Sequence, residues 1–323
     1  MSDLQLLDVR AGERAAEHVR RDGLCPADVS AIPAAAGGPK GLALLPLDRR
    51  LAAEWLPRMQ RIELLGASIG AWRMAALAQP DAHAALDRLQ HAYVHEQNYR
   101  ERPSASEVAA VCRGLAQSVF GRPPLRIREG AALTVFTTRA RGVLAKRRSK
   151  QAFGRAALSN AMSRRRLAVH MERVVFRAGI ESRLTTSFDD FGLVGATLDD
   201  HNLVDALLAS GSIPLVCDPV CNPGGAPAGD YWDGGLIDYH LLLPYEQMKG
   251  IVLYPHFVPH VTPGWLDKFL PWRARPRRHD WLSNVLLIAP SAAMLARLPN
   301  GRLPDRSDFY RYGTDHASRI KHW

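Results

Sequence analysis

The sequence predicts an α/β fold, one sheet with helices on both faces. Three observations predict it. Short apolar, β-branched runs alternate along the chain with segments of helical spacing. No internal repeat or long linker interrupts that alternation. With 323 residues, 47% of them hydrophobic, the chain can bury a substantial core.

The elements read in order. Arg10 to Arg21 is polar and Ala-rich and suits a surface helix. Val29 to Ala35 reads as a short buried strand, which Pro33, having no N–H, restricts to a sheet edge or distorts. Gly37-Gly38-Pro39-Lys40-Gly41 follows, and Leu42-Ala43-Leu44-Leu45 opens a helix running to about Ala53. The strand Ile62-Glu63-Leu64-Leu65 enters Gly66-Ala67-Ser68-Ile69-Gly70 and then a helix from Ala71 to Ala78, closed by Gln79-Pro80. Helical spacing covers Ala82 to Glu96, and Pro103 to Glu107 has the form of a capped helix start. Leu133 to Thr138 and Arg173 to Phe176 are strands. His201 to Ser210 is helical and breaks at Gly211. A turn-rich loop, Asn222 to Gly229, precedes Tyr231-Trp232-Asp233-Gly234-Gly235, and Ile251 to Tyr254 is a further strand. Residues 1–258 are expected to form one domain, its core about 28–254, and residues 259–323 an aromatic and basic C-terminal extension.

Composition narrows the class. No run reaches the roughly eighteen apolar residues of a spanning helix. Met1-Ser2-Asp3-Leu4 lacks the basic and apolar regions of a secretory leader, so a cytoplasmic protein is expected. Cys25, Cys112, Cys217 and Cys221 have neither metal-site nor disulfide-framework spacing. Cys217 and Cys221 lie close enough in sequence to pair, but free thiols are the commoner outcome inside a cell. The net charge of +10 is local: Arg139 to Arg177 holds twelve Lys or Arg against one acid, Glu172. That segment carries +11, so the other 284 residues together carry −1. It reads either as a surface for phosphates, on lipid headgroups or nucleic acid, or as a solvated face or subunit contact.

Gly-x-Ser-x-Gly between a strand and a helix is the nucleophile-elbow pattern, which exposes the Ser68 hydroxyl on a tight turn. Side chains at Gly66 or Gly70 would collide with neighbouring backbone. A nucleophilic serine also needs oxyanion donors and a base. The loop Gly37 to Gly41 offers N–H groups between a strand and a helix; Pro39 has none, which leaves Gly37 and Gly38 first, with Lys40 or Gly41 as additions. Walker spacing is absent, and a plain turn is the simpler alternative. For the base, His240, His256 and His260 permit a Ser–Asp–His order, while Asp233, followed by Gly234 and Gly235, is the other choice. Asp-Gly-Gly is also common turn chemistry.

Taken in order, these motifs resemble the patatin-like phospholipase family: Ala36 to Gly41, then Gly66 to Gly70, then Ala206 to Pro214, then Asp233-Gly234-Gly235. The likeness spans roughly Asp28 to Tyr254, and the ordered set carries it rather than any one motif. Ala35 and Ala36 stand where that family often has an acid and a third glycine, which leaves the exact donors open. The resemblance implies a three-layer α/β/α fold with a central, mostly parallel sheet. It implies hydrolysis of lipid acyl esters by a Ser–Asp dyad, Ser68 and Asp233, without histidine, metal or cofactor. Gly41, Gly66, Gly70, Gly234 and Gly235 would be its supporting glycines. A carboxylate serving as base would need a raised pKa.

The stretch Gly264 to Arg278 mixes Trp265, Phe269 and Trp272 with arginine, a composition suited to a bilayer headgroup zone. Folding back onto the domain is the alternative, because Pro271 and Pro276 preclude a long amphipathic helix. The expected partner is a lipid or other acyl ester, with peripheral membrane association and no nucleic acid. A non-enzymatic anion- or membrane-binding protein, or a triad esterase of small esters, are the competing readings.

Overall fold

The computed structural model describes residues 6–121, 124–146, 148–184, 187–273 and 279–323. The strands are β1 (Leu7–Ala11), β2 (Val29–Ala34), β3 (Ile62–Ala67), β4 (Ala131–Ala140), β5 (Met171–Gly179), β6 (Leu193–Thr197), β7 (Val220–Cys221), β8 (Asp230–Asp233), β9 (Ile251–Pro255) and β10 (Val285–Pro290). They make one mixed sheet in the order β1-β10-β9-β2-β3-β4-β5-β6, with β8 pairing with β4 and β7 with β8. The central run β10-β9-β2-β3-β4 is parallel throughout. Strands β1, β5 and β8 run antiparallel to their neighbours β10, β4 and β4.

Every residue of β2 and β3 is buried, as parallel strands covered on both faces must be. Alternate side chains then serve opposite layers. Ile32, Leu64, Leu133 and Val135 join one core cluster, whereas Ala31, Leu65, Ala67 and Phe136 join the other. The first layer is closed by α3 (Ile69–Leu77), α4 (Ala82–His91), α5 (Ala105–Phe120) and α9 (Leu203–Gly211). Earlier helices are α1 (Glu13–Asp22) and α2 (Leu45–Arg50); between α5 and α9 come α6 (Gly142–Lys146), α7 (Lys150–Met162) and α8 (Arg164–Leu167). The second layer includes Leu241, Leu243, Tyr245 and Phe257, which follow the short α10 (Gly235–Asp238). The molecule is therefore α/β, three-layered around a mostly parallel sheet.

Pro33 does not confine β2 to an edge: β2 lies between β9 and β3. The ladder to β9 registers Val29 and Ala31 with an irregularity between them, so Pro33 lies beyond its end; Pro33 aligns instead with Leu65 of β3. Strand β10, from the segment read as an extension, lies in the sheet between β1 and β9. Cys25, Cys112, Cys217 and Cys221 are free thiols, with Cys217 buried and Cys25 and Cys221 exposed. Met1 to Leu4, Arg147, and Ala274 to Arg278 of the aromatic tail lie outside the described residues.

Candidate active site

Ser68 sits between the end of β3 and the start of α3 with φ 55° and ψ −130°, a left-handed conformation that a side chain adopts only under constraint. The constraint is visible at the two flanking glycines. A Cβ on Gly66 would lie 2.4 Å from Ala71 Cα, and one on Gly70 would lie 2.0 Å from the Ala34 carbonyl oxygen. The elbow is thus closed against α3 on one side and β2 on the other. The Ser68 N–H donates to Ser210 Oγ (2.8 Å), and that hydroxyl donates to the Phe136 carbonyl (2.7 Å). Ser210, fully buried on α9, therefore pins the elbow to β4.

Asp233 ends β8. Register does the rest: Ala67 pairs with Phe136, and Thr137 pairs with Asp233, so β4 brings the two loops together from 165 residues apart. Ser68 Oγ donates to Asp233 Oδ2 at 2.8 Å, and the Gly235 N–H donates to Oδ1 at 2.7 Å. The Asp233 N–H donates to the Ser212 carbonyl (2.9 Å) and the Gly234 N–H to the Ser210 carbonyl (3.2 Å). Burial raises the Asp233 pKa from 3.8 to about 6, although the hydrogen bonds from Ser68 and Gly235 pull the other way.

The loop after β2 faces this pair. Gly37 and Gly38 line the same cavity as Ser68 and Asp233, and Gly38 turns the chain at φ 56°. Neither N–H is bonded to an acceptor among the described residues. Gly41 lies against Ile69, the first residue of α3, whose N–H is free of any intrahelical partner. Lys40 lines the same cavity and is ion-paired there to Asp305 (3.0 Å). The cavity, about 190 Å³, is completed by Ile213, Pro214, Leu236, Trp265, Leu266 and Arg306 among others, so the segment after residue 258 forms part of its wall.

Among the described residues, no histidine lines that cavity. His240 and His256 are buried beside each other, with ring centroids 4.4 Å apart. Nδ1 of His240 accepts the Thr262 N–H and Nδ1 of His256 the Val258 N–H, each at 3.0 Å. Burial lowers both pKa values, that of His256 to about 3. These are neutral core rings packed with Phe257 and Tyr239, not a base aimed at Ser68.

The basic segment is less free than its sequence reads. Arg139 and Arg141 pair with Glu172, Arg148 with Asp230, Arg164 with Asp267, and Arg173 with Asp189 and Asp238. Lys146, Lys150, Arg155, Arg165 and Arg166 make no ion pair with a described residue. Beside them Leu158, Met162 and Val169 are exposed, as are Phe269 and Trp272 of the tail. Arg273 joins the two by donating to the carbonyls of Asn160 and Ala161.

Sheet and site together define an α/β protein with a strand–turn–helix serine bonded to a buried carboxylate. The family model described as patatin-like phospholipase matches residues 36–243. The chain belongs to that family, whose members are lipid acyl hydrolases acting on lipid esters. No curated protein matches the chain. Among the described residues, no helix is long and apolar enough to cross a membrane.

Proposed function

We propose that the chain is a serine acyl hydrolase that cleaves carboxylic ester bonds of lipids, in the manner of a phospholipase A or lysophospholipase. The observation that carries this reading is the 2.8 Å hydrogen bond from Ser68 to the buried Asp233, in a cavity that Gly37 and Gly38 also line. Asp233 accepts the Ser68 proton as Oγ attacks the ester carbonyl. The N–H groups of Gly37 and Gly38, with that of Ile69, receive the oxyanion; losing one such donor typically costs about 3–4 kcal/mol of transition-state stabilisation. The alcohol leaves with the proton held on Asp233, and the acyl group stays on Ser68. Water then gives its proton to Asp233 and displaces Ser68. A carboxylate with a pKa near 6 suits this work better than one near 3.8. Purified protein is expected to release fatty acid from synthetic and lipid esters, and Ser68→Ala to release none. Equal release by both would sink the reading.

We also propose that the enzyme meets its substrate at a membrane surface. The exposed apolar residues Leu158, Met162, Val169, Phe269 and Trp272 are flanked by the unpaired cations of α7 and α8, the composition that binds an anionic headgroup layer. Co-sedimentation with anionic vesicles at low salt is expected, together with its loss in Leu158→Asp/Trp272→Asp. No sedimentation of the unaltered protein would remove this part of the proposal.

A further inference from the structure

Among the described residues, Ser68 lines a second cavity besides the one described above, and that second cavity does not contain Asp233. The first, described above, holds Gly37, Asp233 and Gly235. The second, about 160 Å³, lies on the α5 and α9 side of the elbow and is lined by Trp72, Val108, Cys112, Leu115, Leu208 and Phe309 among others. The two share Gly38, Ser68, Ile213 and Arg306. Helix α5 presents Val108, Cys112 and Leu115 to the second cavity at positions i, i+4 and i+7, one apolar stripe. The first cavity mixes Trp265 and Leu266 with Lys40, Lys268, Asp305 and Arg306.

We infer that the two cavities divide the ester: the second receives the acyl chain as a linear hydrocarbon, and the first receives the alcohol portion. This rests on the hydrolase reading above, and proton accounting carries it. When the tetrahedral intermediate collapses, the bond from the carbonyl carbon to the alcohol oxygen breaks. That oxygen takes the proton which Asp233 received from Ser68. The alcohol oxygen must therefore lie within reach of Asp233, in the first cavity. In the second half-reaction, water enters the vacated space, gives its proton to Asp233 and bonds to the acyl carbon; the bond to Oγ breaks and Ser68 regains the proton. An acyl chain lying in the first cavity would block that water. The second cavity reaches Ser68 without reaching Asp233; Arg100, Glu101 and His316 also stand on its wall, but the α5 stripe with Trp72 and Leu208 gives a chain that carries no proton chemistry an apolar surface to lie on.

Two substrate series test this. One varies acyl length on a common p-nitrophenyl alcohol, and the other varies alcohol size on a common butanoate. Val108→Trp narrows the second cavity, and Leu266→Trp narrows the first. Val108→Trp is expected to lower kcat/KM for the dodecanoate relative to the butanoate by about tenfold or more, with the ratio between small and bulky alcohols held within about twofold. Leu266→Trp is expected to do the reverse. Crossed effects, or ratios unmoved in both variants, would overturn the assignment. Cys112→Phe repeats the second-cavity test should Val108→Trp fail to fold. The unaltered protein adds a check needing no substitution. A dodecylphosphonate bound to Ser68 is expected to slow alkylation of Cys112 about tenfold relative to a methylphosphonate. Equal rates would overturn the proposal. If the unaltered protein neither hydrolyses any ester nor forms an adduct at Ser68, the hydrolase reading fails and this inference with it. Hydrolysis with unmoved ratios would overturn this inference alone.

Discussion

Asp233→Asn is expected to abolish ester hydrolysis and, at neutral pH, to stabilise the fold. The loss of the base should lower kcat by about 10³–10⁴-fold, the upper range for a single acid–base group. His240→Ala, by contrast, should retain hydrolysis per folded molecule within about tenfold, because that ring belongs to the core and not to the cavity. The stability gain follows from linkage. The folded Asp233 pKa of about 6 lies above the usual value of 3.8. Between these values the folded state keeps a proton that the unfolded state has lost, so stability falls as pH rises through that window. The cost reaches about 3 kcal/mol above pH 6, at roughly 1.4 kcal/mol per pKa unit. Asparagine removes the buried charge while its carbonyl still accepts from Gly235 and its amide donates to Ser68 Oγ. Thermal melting at pH 7.5 should rise by several degrees, and the difference should shrink toward pH 4. Over the same range kcat/KM of the unaltered enzyme should climb with pH through about 6 and then level, because Asp233 must be ionised to act. A melting temperature that falls in Asp233→Asn, with activity retained, would contradict both statements.

The second large effect is structural. Arg73 on α3 forms a bidentate pair with Asp48 on α2, Nε to Oδ2 at 2.6 Å and Nη2 to Oδ1 at 2.7 Å, with both side chains essentially fully buried. The pair ties the helix behind the elbow to the helix behind the glycine loop. Asp48→Ala would leave a guanidinium in the apolar interior without its acceptor, at a cost of about 3–5 kcal/mol. Replacing both partners, as in Asp48→Leu/Arg73→Met, should recover most of that loss, because two apolar groups leave no buried charge. Denaturant titration reads both values. A loss below about 1 kcal/mol for Asp48→Ala would show that the ion pair is not the tie inferred here.

What could be read from the sequence was local. The elbow was legible because its glycines and its strand-to-helix switch fall within five residues, and close approach to Ala34 and Ala71 demands them there. Asp233 was legible only through motif order, since its approach to Ser68 depends on the β4 register with β3 and β8. Ser210 carried a weaker signal, a hydroxyl in an otherwise apolar helix; its bonds to the elbow and to Phe136 cross distances that no local pattern encodes. Pro33 misled only as an edge signal, because a proline penalises only the side of a strand that needs its N–H, and the β9 ladder, irregular between Val29 and Ala31, ends before it. The ion pairs of the +11 segment were hidden for the same long-range reason: Arg148 and Arg164 find their carboxylates at Asp230 and Asp267. Strand β10 was hidden behind an arginine- and tryptophan-rich stretch that reads as tail, although Val285 to Pro290 is itself apolar.

The most direct test is covalent. A fluorophosphonate reacts with a serine only where a base activates it and donors stabilise the adduct. Incubation of the purified chain followed by peptide mass mapping should place one adduct on Ser68. Ser68→Ala should carry none, and Asp233→Asn should be labelled far more slowly. A folded, unaltered protein that stays unlabelled, or carries its adduct on another residue, would contradict Ser68 as the nucleophile.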